Sequence, residues 1–382
     1  MILNGSEILV KVLLEQGVDT VFGYPGGSVL NIYDALYKSS DKIRHIMTAH
    51  EQGAAHAADG YARATGKTGV VIATSGPGAT NLVTGIATAY MDSVPLVAIT
   101  GNVPTPLIGC DSFQEVYIAG ITMPITKHNF VVRRVEELAD TLRMAFQIAA
   151  SGRPGPVLVD IPKDITANKT TYTPAPAVTT PRKTEIEGNI EEIADIINGA
   201  ERPFIYFGGG VRISGASAEL RELIMKADIP AAYTLMAAGV LGYGEKNNLG
   251  LIGMHGFYSA NCAANRADVM IAIGTRFSDR VALNTEKFGH NAKIIHIDID
   301  PGEINKNVIA DYSIVGDVKN VLTELLKHIK PAKHEAWTEQ ICKWKLDDYT
   351  PVDSDTELKP HQIIGMTCDM VGEDAVYVTD VG

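Results

Sequence analysis

The chain has 382 residues, of which 46% are hydrophobic and 20% charged, and a formal net charge of −12 at pH 7. This length predicts two or three domains, and the acidic balance argues against nucleic acid as a partner, which would require clustered Lys and Arg. No apolar run reaches the roughly 18 residues of a membrane span. Four cysteines without CxxC or metal spacing favour a reducing, cytoplasmic location.

The first 165 residues alternate short apolar runs with helical stretches, which predicts a parallel, doubly wound sheet. Asn4 and Glu7 have the spacing of a capping box, so the first helix is expected to begin there and to end at Gly17. The apolar runs predict strands at 21–28, 43–47, 69–74, 95–101 and 156–162. The run 21–28 closes in a glycine turn.

Glu51 lies where the predicted strand 43–47 gives way to a helix N-terminus. Small and apolar residues recur at 54, 57, 58, 61, 62 and 65, the spacing of one helical face, and Gly66 is placed as a C-cap. This position is typical of residues that reach a ligand in an α/β sheet. The pattern alone leaves open that Glu51 only complements the helix dipole.

A second α/β unit is predicted from 185 to 330, with strand-like runs at 203–210, 230–234, 269–274 and 294–300, the first of which closes in three glycines. The Thr- and Pro-rich stretch 166–184 before it is expected to be an extended linker, and the polar stretch 331–360 after it a second connection. A third unit begins at 361, with a helix at 362–371 and a strand at 375–379. One helix and one strand cannot bury a core, so this third unit is expected to be incomplete.

Taken singly, the local motifs are weak. Gly76-Pro77-Gly78 lacks the third glycine of a dinucleotide fingerprint. The run Gly208-Gly209-Gly210 could admit a pyrophosphate or form only a tight turn. Asp298 and Asp300 end a strand and could hold a ribose or be solvated loop acids.

Taken together, the motifs carry a specific resemblance that covers essentially the whole chain. YPGG at 24–27, HEQGA at 50–54, TSGPG at 74–78 and DSFQE at 111–115 resemble the pyrimidine-binding domain of thiamine diphosphate enzymes. ITKHN at 125–129, SGRPGPV at 151–157, IPKDI at 161–165, GMHG at 253–256, GTRFSDR at 274–280 and HIDIDP at 296–301 narrow it to the acetolactate synthase (acetohydroxyacid synthase) large-subunit family. The middle part is similar to the FAD-dependent branch.

The resemblance implies a thiamine diphosphate site in the first domain. Glu51 corresponds to the carboxyl that hydrogen-bonds ring nitrogen N1′ of the aminopyrimidine, where a poorly solvated carboxyl holds and shares a proton. Gln114 is expected over the reacting centre and Phe113 at the pocket wall, while Lys163 and Lys127 supply positive charge near the route of a 2-keto acid; Lys127 could also be a plain surface charge. The cofactor-binding positions are Pro25, Gly26, Glu51, Thr74, Pro77, Asn81 and Gln114, and the catalytic ones Glu51, Gln114 and Lys163.

The resemblance also implies an FAD site that family members use without net redox chemistry. The matching positions are Arg153, Gly208, Gly209, Gly210, Thr234, Leu235, Met236, Met254, His255, Gly274, Arg276, Asp279, Arg280, Asp298, Ile299 and Asp317.

The third domain of the family binds the diphosphate through Mg²⁺, which is held by a Gly-Asp-Gly motif and a later Asn. No Gly-Asp-Gly occurs in this sequence, so the metal ligands are expected in a third domain of which 361–382 is only the start. The expected function is decarboxylating condensation of two pyruvates, or of pyruvate with 2-ketobutyrate, by a homodimer or dimer of dimers with a possible regulatory small subunit. The chain alone is expected to be inactive. Alternatives are another thiamine-dependent 2-keto acid carboligase or decarboxylase, and a non-catalytic FAD-binding fragment.

Overall fold

A computed structural model describes residues 1–178, 184–242, 244–372 and 374–379. Residues 179–183 of the predicted linker and residues 380–382 of the predicted third unit lie outside the described residues. None of the described helices is long and apolar enough to cross a membrane.

The described strands are short and mostly follow the predicted apolar runs. They are β1 (Ile2–Asn4), β2 (Thr20–Gly23), β3 (Arg44–Met47), β4 (Gly69–Ala73), β5 (Leu96–Asn102), β6 (His128–Val131), β7 (Pro156–Pro162), β8 (Lys169–Thr171), β9 (Pro203–Phe207), β10 (Ala231–Tyr233), β11 (Asn248–Leu251), β12 (Val269–Ile273), β13 (Lys293–Asp298) and β14 (Tyr312–Val315).

The described α-helices alternate with these strands. They are α1 (Gly5–Glu15), α2 (Leu30–Tyr37), α3 (Glu51–Thr65), α4 (Pro77–Asn81), α5 (Val83–Met91), α6 (Ile118–Thr122), α7 (Leu138–Ala150), α8 (Lys163–Ala167), α9 (Ile190–Asn198), α10 (Gly209–Ser214), α11 (Ser217–Ala227), α12 (Tyr258–Arg266), α13 (Val318–Leu325), α14 (Glu335–Lys345) and α15 (Pro360–Val371).

Two six-stranded parallel sheets confirm the predicted architecture. The first has the order β3-β2-β4-β5-β7-β6 and the second β11-β10-β9-β12-β13-β14. Each sheet has an apolar core on both faces: α1, α2 and α7 cover one face of the first, and α3 to α6 the other. Because helices bury both faces, the central strands are continuous apolar runs, as in Val70–Ala73 and Met270–Ile273.

The sequence also predicted the ends of the key helices. The Asn4 side chain accepts from the Glu7 backbone N–H while the Glu7 carboxylate accepts from the Asn4 N–H, both at 2.9 Å, which is the predicted capping box. Helix α3 begins at Glu51 and ends before Gly66, whose φ of 72° is left-handed.

Three predicted segments differ from the structure. The predicted strand 375–379 does not form: Val376 and Val378 are 89% and 93% exposed and have no neighbouring strand among the described residues. The predicted connection 331–360 contains α14, whose Trp337 is buried and donates its indole N–H to the Pro203 carbonyl at 3.0 Å. The predicted linker 166–184 contains β8, which pairs antiparallel with β1.

Candidate functional site

The first candidate site lies at the carboxyl edge of the first sheet. The chain passes from β2 to β3 on one side and then to β4 on the other side of β2, so the direction of winding changes between β2 and β4. In open α/β sheets the crevice at such a switch point is the usual ligand site. The turn 24–27 follows β2, Glu51 follows β3, and the turn 74–77 follows β4, so topology brings these predicted positions together.

Among the described residues, Glu51 has one side-chain hydrogen-bond partner. Asn81, at the end of α4, donates its amide to Glu51 Oε2 at 2.9 Å. Glu51 Oε1 lies only 3.2 Å from where a Cβ on Gly78 would be. Because Gly78 has no side chain, this oxygen remains uncovered. Glu51 is half-buried, which is more solvated than the sequence suggested.

The turns beside Glu51 contain glycines at positions where a side chain would collide with neighbouring residues. A Cβ on Gly26 would lie 2.5 Å from the Thr74 side chain, and one on Gly76, whose φ is 61°, would lie 2.6 Å from the Gln114 carbonyl oxygen. Thr74 is buried and within hydrogen-bonding distance of Ser28 Oγ, at 2.9 Å. A Cβ on Gly78 would lie close to both Thr74 and Glu51, so Thr74 and Gly78 lie beside the Glu51 oxygen, while Gly26 contacts Thr74 and Gly76 contacts the backbone of Gln114.

The Glu115 side chain stabilises the loop that carries Gln114. The Glu115 carboxylate accepts the backbone N–H groups of Gly109 and Ser112, and these bonds lower the pKa of Glu115. Gln114 itself has a φ of 57°, and Phe113 is 87% exposed. Phe113 thus projects from the edge of this chain and does not line an enclosed pocket within it.

The two predicted substrate lysines have different environments. Lys163 begins α8 at the carboxyl end of β7, on the same sheet edge as Glu51, and its side chain is exposed. Lys127 instead donates its ammonium to the carbonyls of Ile148 and Ser151, at 2.5 and 2.6 Å, at the C-terminus of α7. Burial lowers the pKa of Lys127 to about 8. The structure thus places Lys127 as a helix cap, away from Glu51.

The second candidate site is a cavity of about 980 Å³ between the two domains. This volume lies at the upper end of the range for small-molecule and cofactor sites. Fourteen of the sixteen predicted FAD positions line it; Gly208 and Asp279 do not. The second sheet changes its winding direction between β9 and β12, and the cavity opens at the carboxyl ends of these strands.

Gly210 and Gly274 form the floor of this cavity, and Gly208 packs against Gly274 without lining it. A Cβ on Gly208 would lie 2.7 Å from the Gly274 carbonyl oxygen, and one on Gly210 would lie 2.7 Å from Gly274 Cα. The Gly210 N–H donates to the Gly274 carbonyl at 2.9 Å. A side chain at any of these three glycines would push the ends of β9 and β12 apart.

Charged groups surround the cavity from both domains. Arg153 of the first domain pairs with Glu303 at 2.6 Å and Asp300 at 3.3 Å in the second. Arg276 is half-buried and has no side-chain acceptor among the described residues. Burial raises the pKa of Asp298 to about 6. The Asp317 carboxylate caps α13 by accepting the Lys319 N–H at 3.1 Å.

Several cavity residues were missed by sequence reasoning, notably Arg63, Asp92 and Glu303. Arg63 could have been found, because it lies in the last turn of the helix that Glu51 begins. The position of Glu303 depends on its pairing with Arg153, 150 residues earlier, so no local sequence pattern predicts it. Among the described residues, no group of three His, Cys, Asp or Glu side chains is arranged to hold a metal ion.

Two family patterns match the two sheets. The pattern described as "Thiamine pyrophosphate enzyme, N-terminal TPP binding domain" matches residues 3–121, and "Thiamine pyrophosphate enzyme, central domain" matches residues 190–325. The first match contains Glu51 and its neighbours, and the second contains the glycine floor of the cavity.

Curated relatives match the chain over its whole length. It is 48% identical over 400 residues to the probable acetolactate synthase large subunit of Methanocaldococcus jannaschii. It is 48% identical over 393 residues to the acetolactate synthase of Mycobacterium bovis, and 44% over 394 residues to the acetolactate synthase isozyme 3 large subunit of Escherichia coli. Each alignment covers 100% of this chain but 67%, 63% and 68% of the relative, so the chain spans about two thirds of their length.

Proposed function

The chain belongs to the acetolactate synthase large-subunit family of thiamine pyrophosphate enzymes, and from that premise we propose that it carries the first two domains of an acetolactate synthase. The reaction joins two pyruvates to 2-acetolactate with loss of CO2, or pyruvate with 2-ketobutyrate, in branched-chain amino acid biosynthesis. The observation that carries the proposal is the uncovered Glu51 oxygen between bare glycine turns at the switch point of the first sheet.

The residues of the first pocket fit an aminopyrimidine ring. Gly26, Gly76 and Gly78 allow close approach of the pocket walls, because a Cβ at each would collide with Thr74 or Gln114. Thiamine diphosphate bound here would supply a nucleophile and an electron sink for decarboxylation of a 2-keto acid. Glu51 holds the proton that is shared with the pyrimidine nitrogen, and the Asn81 amide fixes the carboxylate for that exchange.

The other predicted residues act by position and charge. Gln114 lies beside Gly76, where its side chain can reach the reacting carbonyl from the edge of the pocket. Lys163 draws the carboxylate of the 2-keto acid towards that edge. Lys127 is withdrawn from the substrate role, because its ammonium already caps α7.

The interdomain cavity fits a flavin dinucleotide. Gly209 and Gly210 leave the start of α10 without side chains beside a pyrophosphate, Arg276 offers a guanidinium with no side-chain acceptor among the described residues, and Asp298 can hold hydroxyl groups. In the reaction proposed here the flavin position is structural, and Arg153 holds the two domains across it. The same proposal includes Mg²⁺ as a cofactor, assembly as a homodimer or dimer of dimers, and a regulatory small subunit. The regulatory subunit is supported by the names of the relatives, which are called large subunits. A cytoplasmic location is supported by the four free cysteines.

The test is acetolactate formation from pyruvate with FAD, thiamine diphosphate and Mg²⁺. It is run on the chain alone and on the chain supplemented with a relative's diphosphate-binding domain as a separate polypeptide. We expect product only in the supplemented reaction. Products from other 2-keto acids in place of acetolactate would favour the other carboligases. A flavin spectrum without any turnover in either reaction would favour a non-catalytic flavin-binding protein.

A further inference from the structure

Helix α3 connects the two candidate sites. Its first residue, Glu51, lies in the pocket of the first sheet, and Arg63 in its last turn lines the interdomain cavity. At 1.5 Å per residue, the two side chains start roughly 18 Å apart along one helix. A displacement of this single element therefore changes both sites.

Arg63 keeps one donor group for a cavity ligand. Its Nε and Nη2 donate to the carboxylates of Asp59 and Asp92 at 2.8 to 3.3 Å. Its Nη1 has only the thioether sulfur of Met236, at 3.8 Å, among the described residues. Sulfur is a weak acceptor, so an oxygen-bearing ligand in the cavity offers Nη1 a much better partner.

The second domain holds the same end of the helix. Arg212 in α10 donates to the Arg63 carbonyl at 3.4 Å, and Met236 lies in the turn after β10 that lines the cavity. A ligand that fixes these cavity walls also fixes the C-terminal end of α3.

The body of α3 is packed too tightly to absorb such a change locally. Ala54, Ala55 and Ala58 are fully buried. A Cβ on Gly85 of α5 would lie 2.3 Å from Ala55 Cβ, and one on Gly69 would lie 2.3 Å from the Ala58 carbonyl oxygen. Close-packed interiors transmit displacement, so the helix responds as a rigid body.

We infer that Arg63 binds the ligand of the interdomain cavity through Nη1, and that occupancy of the cavity is thereby coupled along α3 to the position of Glu51. The inference rests on the flavin and thiamine sites proposed above. Arg63 is a positioning residue for Glu51 in this arrangement. Coupling between two sites in a protein typically amounts to about 5- to 150-fold.

The test measures backbone hydrogen exchange in the purified protein with and without saturating FAD. We expect FAD to slow exchange in the peptide that spans residues 50–57 by about fivefold or more. The peptide spanning α2, on the opposite face of the first sheet, serves as the internal control and should not change. Flavin fluorescence establishes saturation for every variant.

Two substitutions separate coupling from folding. Arg63→Met removes the guanidinium. Arg63→Lys keeps a positive charge beside Asp59, which preserves the folded structure better, but a single ammonium cannot contact both acids and the cavity ligand. At saturating FAD, both variants should lose the protection at 50–57. Arg134→Met is the matched control and should keep the protection, because Arg134 is 67% exposed and, within the described part of the chain, pairs only with Glu136 and Glu137.

Each outcome decides the question. Loss of protection in the Arg63 variants alone supports the coupling. Bound FAD without protection in the wild type, or equal protection in the Arg63→Lys variant, overturns it while leaving the flavin site intact. No FAD binding by the folded wild type overturns the flavin site and the coupling together.

Discussion

Glu51 has an uncovered oxygen at a place where the sequence alone offered two interpretations. Glu51→Gln keeps the size and the contact with Asn81 but cannot exchange a proton, so turnover of the assembled enzyme should fall by about 10²-fold or more. The measurement is kcat for acetolactate formation. The control is Glu191→Gln, an exposed acid in the first turn of α9. Turnover within about threefold of wild type would remove Glu51 from the role.

Arg276 and Arg280 provide a matched pair for the flavin site. Arg276 is half-buried with no side-chain acceptor among the described residues, whereas Arg280 is 68% exposed and lies 3.5 Å from Asp279. Arg276→Ala should weaken FAD binding by about 10-fold or more, since a charged hydrogen bond is worth about 1.5–3 kcal/mol. Arg280→Ala should weaken it much less. Titration by flavin fluorescence compares the two, and equal effects would show that Arg276 does not meet the ligand.

Asp160 predicts a pH dependence of stability. It is 2% exposed and accepts hydrogen bonds from Thr100 and Asn102, and burial raises its pKa to about 6. Because the folded protein holds this proton more tightly than the unfolded chain, the contribution is fully present below pH ~4 and is lost as the pH rises through about 6. Asp160→Asn should flatten this dependence and raise stability at pH 7 by up to about 3 kcal/mol.

Urea unfolding between pH 4 and 8 measures the effect. Asp41→Asn, at an exposed turn, is the control and should leave the pH profile unchanged. An unchanged profile in the Asp160→Asn variant would mean that the carboxyl titrates alike in both states.

The position of a residue could be predicted from the sequence when its role depends on its neighbours in the chain. Glu51 follows a strand and opens a helix, so its position could be predicted from local pattern. Lys127 could not be interpreted in this way, because its partners Ile148 and Ser151 are more than twenty residues away. Its assignment to the substrate route came from the resemblance, and the fold places its ammonium elsewhere.

Helices α3 and α5 together provide a second matched pair of positions, this time for packing. Gly85 in α5 faces Ala55 so closely that an added Cβ would lie 2.3 Å from the alanine Cβ, while Gly60 on the outer face of α3 has nothing within 4 Å. Gly85→Ala should therefore destabilise the fold by about 1–3 kcal/mol through overpacking. Gly60→Ala should stabilise it by about 0.5–1 kcal/mol through helix propensity. Denaturant unfolding measures both, and two changes of the same sign would contradict this account of the packing.

Whether a strand or helix could be predicted depended on how apolar it is. Strands such as β4 and β12 are buried on both faces and appear as continuous apolar runs. Strands β6 and β14 lie at sheet edges, and β11 is only partly buried, so their mixed residues gave no clear period. Helix α14 was assigned to a connection because its surface is polar, yet Trp337 anchors it in the core of the second domain.

At the level of the whole molecule, Arg153 links the two domains across the cavity. Its ion-pair partner Glu303 has a side chain that is only 5% exposed. Arg153→Met would leave this buried carboxylate with Lys306 as its remaining partner among the described residues. FAD at 100 times its Kd should stabilise the wild type by about 2.7 kcal/mol through mass action. The same FAD concentration should stabilise the Arg153→Met variant less, because its affinity is lower.

Thermal unfolding with and without FAD measures this difference, and Arg134→Met is the control. Equal shifts in Tm for wild type and the Arg153→Met variant would show that Arg153 does not contribute to the cavity. The two-domain architecture itself was predictable, whereas this link was not, because it joins residues 150 positions apart.

The close contacts among Gly208, Gly210 and Gly274, two of which line the cavity, have an evolutionary consequence. Gly208, Gly210 and Gly274 exclude side chains from one another's space, so none can be replaced alone without separating β9 from β12. Selection to keep the cavity open must act on all three at once. In a lineage that no longer fills the cavity this constraint lapses, and larger residues at these three positions should accumulate together. The glycine triplet is thus a genomic marker that can sort descendants that retain the cavity from those that have closed it.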